Sequence, residues 1–168
     1  MNSLQNIHLR RIHWAIFSPS LLSYPFSAAY VRDDAHAEAI LDVLKQLDEI
    51  PDEVDAYFDS LAKLPMGKYF EQLLFYIFEK DERFEVLAKN HQVKQGNETI
   101  GEIDLILKDV VNGTYEHWEI ALKFYLQSHA SDQHDAFIGP NGVDDLAKKM
   151  KKLTERQIPL TIDQTEIG

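Results

Sequence analysis

The chain has 168 residues, 45% hydrophobic and 27% charged, with 17 Lys and Arg against 28 Asp and Glu and a formal net charge of -11. That length suits one domain with a modest appendage and buries enough surface to need no staple, while the lack of Cys excludes a disulfide scaffold, a thiolate metal site and a cysteine nucleophile. The acidity argues against a protein that merely coats nucleic acid, and no run approaches the roughly eighteen apolar residues of a membrane span, so a cytoplasmic protein without membrane attachment is expected.

In chain order, NIHLRRIHWAIFSPSLLSYP predicts a helix from about Asn6 to Phe17, then an ordered irregular segment through Ser18, Pro19 and Pro25. From Arg32 to Asp59, ten acids against two bases concentrate a charge of -8. Ala37, Ile40, Leu41, Leu44 and Leu47 recur at helical spacing, Pro51 interrupts them, and Val54, Phe58 and Leu61 begin another stripe, which predicts two helices. KYFEQLLFYIFEK predicts a strongly apolar, central helix. On it Glu71 shares a broad face with Leu74 and Phe78, and reads either as an edge residue with its stem on the core or as a site acid.

Beyond this helix the pattern turns extended. FEVLAKNHQV holds one or two strands, and TIGEIDLILKD and YEHWEIALKFYL are stronger candidates joined across VVNGT, where Asn112 and Gly113 signal a two-residue type I′ hairpin. With Val111 opposite Thr114, Leu107 faces Trp118, Leu105 faces Ile120 and Ile103 faces Leu122, giving one apolar face. The other face sets Asp104 opposite Ala121, with Glu119 and Lys123 as diagonal neighbours and Glu102 opposite Lys123. QSHASDQHDAFIGPNG reads as a loop or a short element. From Val143, Leu146, Ala147, Met150 and Leu153 mark an amphipathic helix displaying Lys148, Lys149, Lys151 and Lys152, and Ile158, Leu160 and Ile162 alternate as a last strand.

The polar hairpin face carries the chemistry. Asp104 and Glu119 offer carboxylate oxygens to Mg²⁺ or Mn²⁺, the Ile120 carbonyl is an additional ligand at the same edge, and Lys123 stands nearby to orient water or offset negative charge. The competing reading is a solvent-exposed face on which Glu102 and Glu119 pair with Lys123. His91, His129 and His134 lack metal-ligand spacing, so no zinc site is expected, and the lysine-rich helix face is solvated unless it lies beside the acids, where it would meet phosphate.

Helical GKYFEQLLFYIF, strand GEIDLIL and strand HWEIALKFYL resemble the leading elements of the PD-(D/E)xK, or restriction-endonuclease-like, phosphodiesterases. With HWAIFSPSLL and FIGPNGVDDLAKKMKKL they resemble, more narrowly, the bacterial domain-of-unknown-function family 1853, over about residues 8–162. The resemblance implies an α/β (α+β) fold with an αβββαβ core over residues 65–168 and an N-terminal helical extension over residues 1–64 packed on it. Members of the narrower family are generally longer, which implies a core truncated at its C-terminal end.

The superfamily's first-helix Glu matches Glu71, its metal-binding Asp matches Asp104, and the later acid matches Glu119. The usual Lys position holds Ala121, and Lys123 stands one strand period away. Gln157 resembles the Gln that follows the second core helix in nucleases acting on DNA ends, and Glu102 is a further accessory acid. The implied activity is a Mg²⁺- or Mn²⁺-dependent nuclease acting on DNA. The alternative is a catalytically inactive nuclease-like fold serving as an interaction or regulatory module, with a basic protein partner at the acidic N-terminal helices.

Overall fold

The computed structural model describes residues 4–19, 30–61, 63–95, 97–131 and 133–161. It is a mixed α+β structure with several helices and two small antiparallel sheets, and the chain divides into two compact units, Met1–Glu82 and Arg83–Gly168. The part of the expected irregular segment from Ser20 to Ala29, and Ile162 of the expected last strand, lie outside the described residues.

The first unit is helical: α1 (Ile7–Phe17), α2 (Asp34–Asp48), α3 (Pro51–Asp59) and α4 (Met66–Lys80). These are the four helices the apolar spacing predicts. Helix α1 begins where the Asn6 side chain accepts from the amides of His8 (2.8 Å) and Leu9 (3.3 Å), a cap that satisfies N–H groups with no partner inside the helix. Asp48 in turn accepts from the backbone N–H groups of Gln5 and Asn6, both at 2.8 Å, and Asp55 from the Asn6 amide at 2.7 Å. Helix α1 packs on α2, α3 and α4 through Leu9, Ile12 and Ile16, and six consecutive residues of α4, Leu73 to Phe78, are buried. A helix apolar on all sides has to be enclosed, which makes α4 the axis of this unit.

The second unit is built on a three-stranded antiparallel meander: β1 (Phe84–Gln95), β2 (Glu98–Asp109) and β3 (Thr114–Trp118). Its apolar floor comes from Ile103, Leu105 and Leu107 of β2, each at most 1% exposed. A pair of two-residue strands, β4 (Leu126–Gln127) and β5 (Phe137–Ile138), forms a separate small sheet within the stretch read as loop. Helix α5 (Leu146–Lys152), capped by Asp145, runs into a π-helical turn over Leu153–Gln157 and a 3-10 turn over Ile158–Thr161.

The last segment corrects the expected strand. Ile158 and Leu160 alternate as a strand would, yet Pro159 fixes φ near -65° and offers no N–H to a ladder, which suits a helical turn. Leu160 lies over Gly101 of β2, where an added Cβ would strike it, and packs against the cluster of Val93, Ile103 and Ile106. This contact docks the C-terminal helical segment on the sheet.

The hairpin register is also corrected. The β2–β3 connection spans four residues, Val110–Gly113, so Leu105 faces Trp118 and Leu107 faces Glu116, two positions from the expected pairing. The cause is Asp109, 1% exposed, whose carboxylate accepts from the amides of Val111 (3.0 Å) and Asn112 (3.1 Å), the Asn112 side chain (3.0 Å) and the Arg83 guanidinium (3.0 and 3.1 Å). That carboxylate organises the longer loop, and only Gly113 (φ 67°) takes the left-handed conformation that a type I′ turn would demand of Asn112 as well. Because the slip is two residues, each paired residue of β3 keeps its expected face.

Burial alone would raise the Asp109 pKa, but the Asn112 amide, the Arg83 hydrogen bond and charge, and the Val111 amide outweigh it and hold the carboxyl below its usual value. With the folded pKa depressed, its contribution is full above the unfolded value near pH 4 and disappears as pH falls through the folded value. Asp109→Ala is expected to destabilise the second unit by about 3 kcal/mol, since it removes the buried carboxylate that accepts from Arg83 and from the Val111 and Asn112 amides. Urea unfolding followed by Trp118 fluorescence, with the exposed Trp14 replaced by Phe, measures this, and an unchanged midpoint would refute it.

Candidate active site

Ladder pairing between β2 and β3 stops at Leu105 and Trp118, so the expected long strand through Leu126 is corrected to five residues. The next pair in register would be Asp104 with Glu119. At that point the Asp104 Oδ2 accepts the Ile120 N–H at 2.8 Å, so a side chain takes the hydrogen bond that a further ladder step needs. The slip of two residues therefore brings Glu119, rather than Ala121, level with Asp104. Ile120, expected to offer its carbonyl, meets Asp104 through its amide.

Glu119 is held on both oxygens. Its side chain is 6% exposed, His117 Nε2 lies 2.8 Å from Oε1, and the Gln157 amide donates to Oε2. A buried carboxylate needs such donors to offset its desolvation. His117 reaches it because residues two apart on a strand share a face. Gln157 reaches it from the π-helical turn, whose widened spiral ends at that residue. Lys149 Nζ in turn donates to Gln157 Oε1 at 3.1 Å. This fixes the amide orientation, oxygen toward the ammonium and nitrogen toward the carboxylate.

The structure separates the expected lysine from the acids. Lys123 lies beyond the end of β3, outside the sheet face it was assigned to, and pairs with Asp144 Oδ2 at 3.0 Å. The hydrogen bond to Asp144 holds its ammonium pKa above the usual value, and the same bond holds Asp144 below. Lys149, read as part of a solvated face with Lys148, Lys151 and Lys152, is half-buried while those three are exposed. Burial pushes its pKa down, Glu119 and Asp104 oppose the fall, and Lys152 and Lys123 add to it.

Glu102 stands opposite Gln92 on β2. Asn90 of β1 lies between the partners of Leu105 and Ile103, hence beside Asp104, and has a φ of 48°, a left-handed conformation that costs about 1 kcal/mol or more in L-residues and that Asn tolerates best. Strain of this kind collects at functional positions. Glu71 belongs to the first unit, where α4 buries it to 9% exposure and Lys68 Nζ sits 2.7 Å from its Oε2.

Among the described residues no group of three or more His, Cys, Asp or Glu is arranged to hold a metal ion. The donor chemistry of Asp104 and Glu119 nevertheless fits Mg²⁺ or Mn²⁺: such hard cations take one or two carboxylates from a protein and fill the remaining positions with water and phosphate oxygens. Also among the described residues, no helix is long and apolar enough to cross a membrane.

In lysine side-chain NMR, Lys149 is expected to titrate below and Lys123 above the usual lysine value, and Asp144→Asn is expected to lower Lys123 toward it. The opposite order would contradict the charge arrangement. No curated protein and no solved structure matches the chain. The family described as Domain of unknown function (DUF1853) matches residues 10–166, nearly the whole length, and the chain belongs to that family.

Proposed function

We propose that this protein is a divalent-metal-dependent phosphodiesterase acting on DNA. The observation that carries the reading is the pair of acids at the end of the β2–β3 ladder, Asp104 and Glu119, each fixed by its own donors and accompanied by a half-buried lysine. The sequence resemblance of GKYFEQLLFYIF, GEIDLIL and HWEIALKFYL to restriction-endonuclease-like enzymes supports it.

Asp104 and Glu119 would hold Mg²⁺ or Mn²⁺, with the Ile120 carbonyl as a further ligand, and the ion would polarise a phosphoryl oxygen and acidify a water. The chain's own groups set the geometry: the Ile120 amide aims Asp104, and His117 with Gln157 fixes the plane of Glu119. In the reaction a water oxygen bonds to phosphorus and loses its proton to solvent, and one P–O ester bond breaks. The departing oxygen keeps the electron pair and is protonated, giving a phosphomonoester and a hydroxyl end.

A second reading follows from the surface of α2 and α3, where Asp33, Asp34, Glu38, Asp42, Glu49, Asp52, Glu53 and Asp59 are exposed. Here the nuclease-like fold is inactive and this acidic surface engages a basic protein. Charge reversal at Asp52 and Glu53 together with Asp104→Ala separates the two: a partner lost only on charge reversal favours interaction.

Asp104→Ala is expected to reduce Mn²⁺-dependent cleavage of a panel of linear, circular, branched and single-stranded DNA to background. Asp104→Asn is expected to weaken Mn²⁺ binding about tenfold or more in calorimetry with little change in folding, because it removes a charged ligand at nearly constant volume. Cleavage and metal affinity unaffected by either substitution would reject the site.

A further inference from the structure

Among the described residues, the half-buried ammonium at the site has no carboxylate partner. Lys149 is half-buried and under the influence of both Glu119 and Asp104, yet among the described residues it makes no ion pair. Its hydrogen bond goes to the neutral amide oxygen of Gln157. Three lysines near it differ: Lys148 pairs with Asp145 at 2.8 Å, Lys151 with Glu155 at 4.0 Å, and Lys123 with Asp144.

An ammonium has three N–H groups, and removing it part-way from water is costly unless they are satisfied. Lys152 and Lys123 both depress the Lys149 pKa, so two further positive charges act on the ammonium that stands beside the acid pair. An anion presenting several acceptor oxygens can take the ammonium's further N–H groups and offset this repulsion, and a phosphodiester is such an anion.

The alignment of Lys149 with Gln157 is built into the helix. Residues eight apart are out of line by roughly 80° in a regular α-helix with 3.6 residues per turn. One α turn followed by one wider π turn advances about eight residues, which stacks Gln157 under Lys149 and lets the amide tie the ammonium to Glu119.

We propose that Lys149 is the lysine that contacts the substrate, donating to a non-bridging oxygen of the phosphodiester, with Gln157 as its positioning residue. This rests on the phosphodiesterase reading and assigns to the helix a role that the resemblance gave to the strand lysine. Lys149 would offset the negative charge that grows on the phosphate oxygens during attack. Lys123, held by Asp144, is left to the small-sheet side of the unit.

Two measurements on the full chain test it. In the first, Mn²⁺-dependent cleavage is compared for wild type, Lys149→Met, Lys149→Arg, Lys123→Met and the exposed control Lys148→Met. Lys149→Met is expected to lose about a hundredfold at unchanged melting temperature, Lys149→Arg to recover part of it, and Lys123→Met to lose less. A Lys149→Met enzyme within about threefold of wild type, or a larger loss in Lys123→Met, overturns the proposal; should Lys149→Met fail to fold, Lys149→Gln replaces it.

The second needs no turnover. A phosphorothioate single-stranded oligonucleotide is bound in Ca²⁺, and lysine reductive methylation is mapped by mass spectrometry. Lys149 is expected to be protected more than Lys148, and equal labelling with and without saturating oligonucleotide, or no binding of it, overturns the assignment. A wild-type protein that binds and protects Lys149 but cleaves nothing would dismiss the phosphodiesterase reading while keeping Lys149 as the phosphate contact.

Discussion

The competition for one peptide N–H, that of Ile120, governs the second unit. If the β2 backbone took it, β3 would run on and carry Glu119, Ala121 and Lys123 along one sheet face. The Asp104 carboxylate takes it instead, and the chain leaves the sheet one residue after the ladder's last pair. Three consequences descend from that exchange. Asp104 is fixed in direction, Glu119 stops level with it at the strand's end, and everything beyond is free to follow the small sheet, where Asp144 collects Lys123. A polar side chain that ends a ladder also satisfies the amide it releases, so the break leaves no buried donor behind.

The first unit shows a different use of acidity. Much of the protein's negative charge lies between Arg32 and Asp59, and three of those carboxylates have local tasks: Asp33 accepts from the His36 amide at the start of α2, while Asp48 and Asp55 secure the entry to α1. Deeper in, Asp81 receives the Tyr30 hydroxyl at 2.8 Å and lies 2.9 Å from His36 Nε2, joining the start of α2 to the end of α4. Charge that looks in sequence like a patch for a partner is, at these positions, part of the wiring of the helices. The exposed remainder is what an external cation would meet.

The helices were legible because their signals are local: Asn6 before an apolar stripe, Pro51 between two stripes, and an unbroken apolar run in α4. The sheet faces were legible for a related reason, since alternation survives a slip of two residues. The register was not, because Asn112-Gly113 is a strong turn signal while the controlling group is Asp109, whose effect depends on Arg83 twenty-six positions earlier. Of the site, Asp104 and Glu119 could be read from alternation, but the exchange at Ile120 that parts them from Lys123 depends on tertiary contacts. Lys149 belonged to a run of lysines with no local mark to set it apart, and Gln157 carried only its likeness to a known motif. Their meeting through eight residues required a helical geometry that no periodicity rule assumes.

That geometry makes the C-terminal segment sensitive to its residue count in an unusual way. A π turn is equivalent to a regular helix that has gained a single residue, so the stretch from Leu153 to Gln157 holds a one-step phase offset between its two ends. Drawn into ordinary α-helix at its present length, the segment would turn Gln157 about 80° away from Lys149, whereas the same regular helix shortened by one residue would set the two seven apart and back on one side. The additional residue and the wider turn cancel, and the connection between helix and strand acids needs both together.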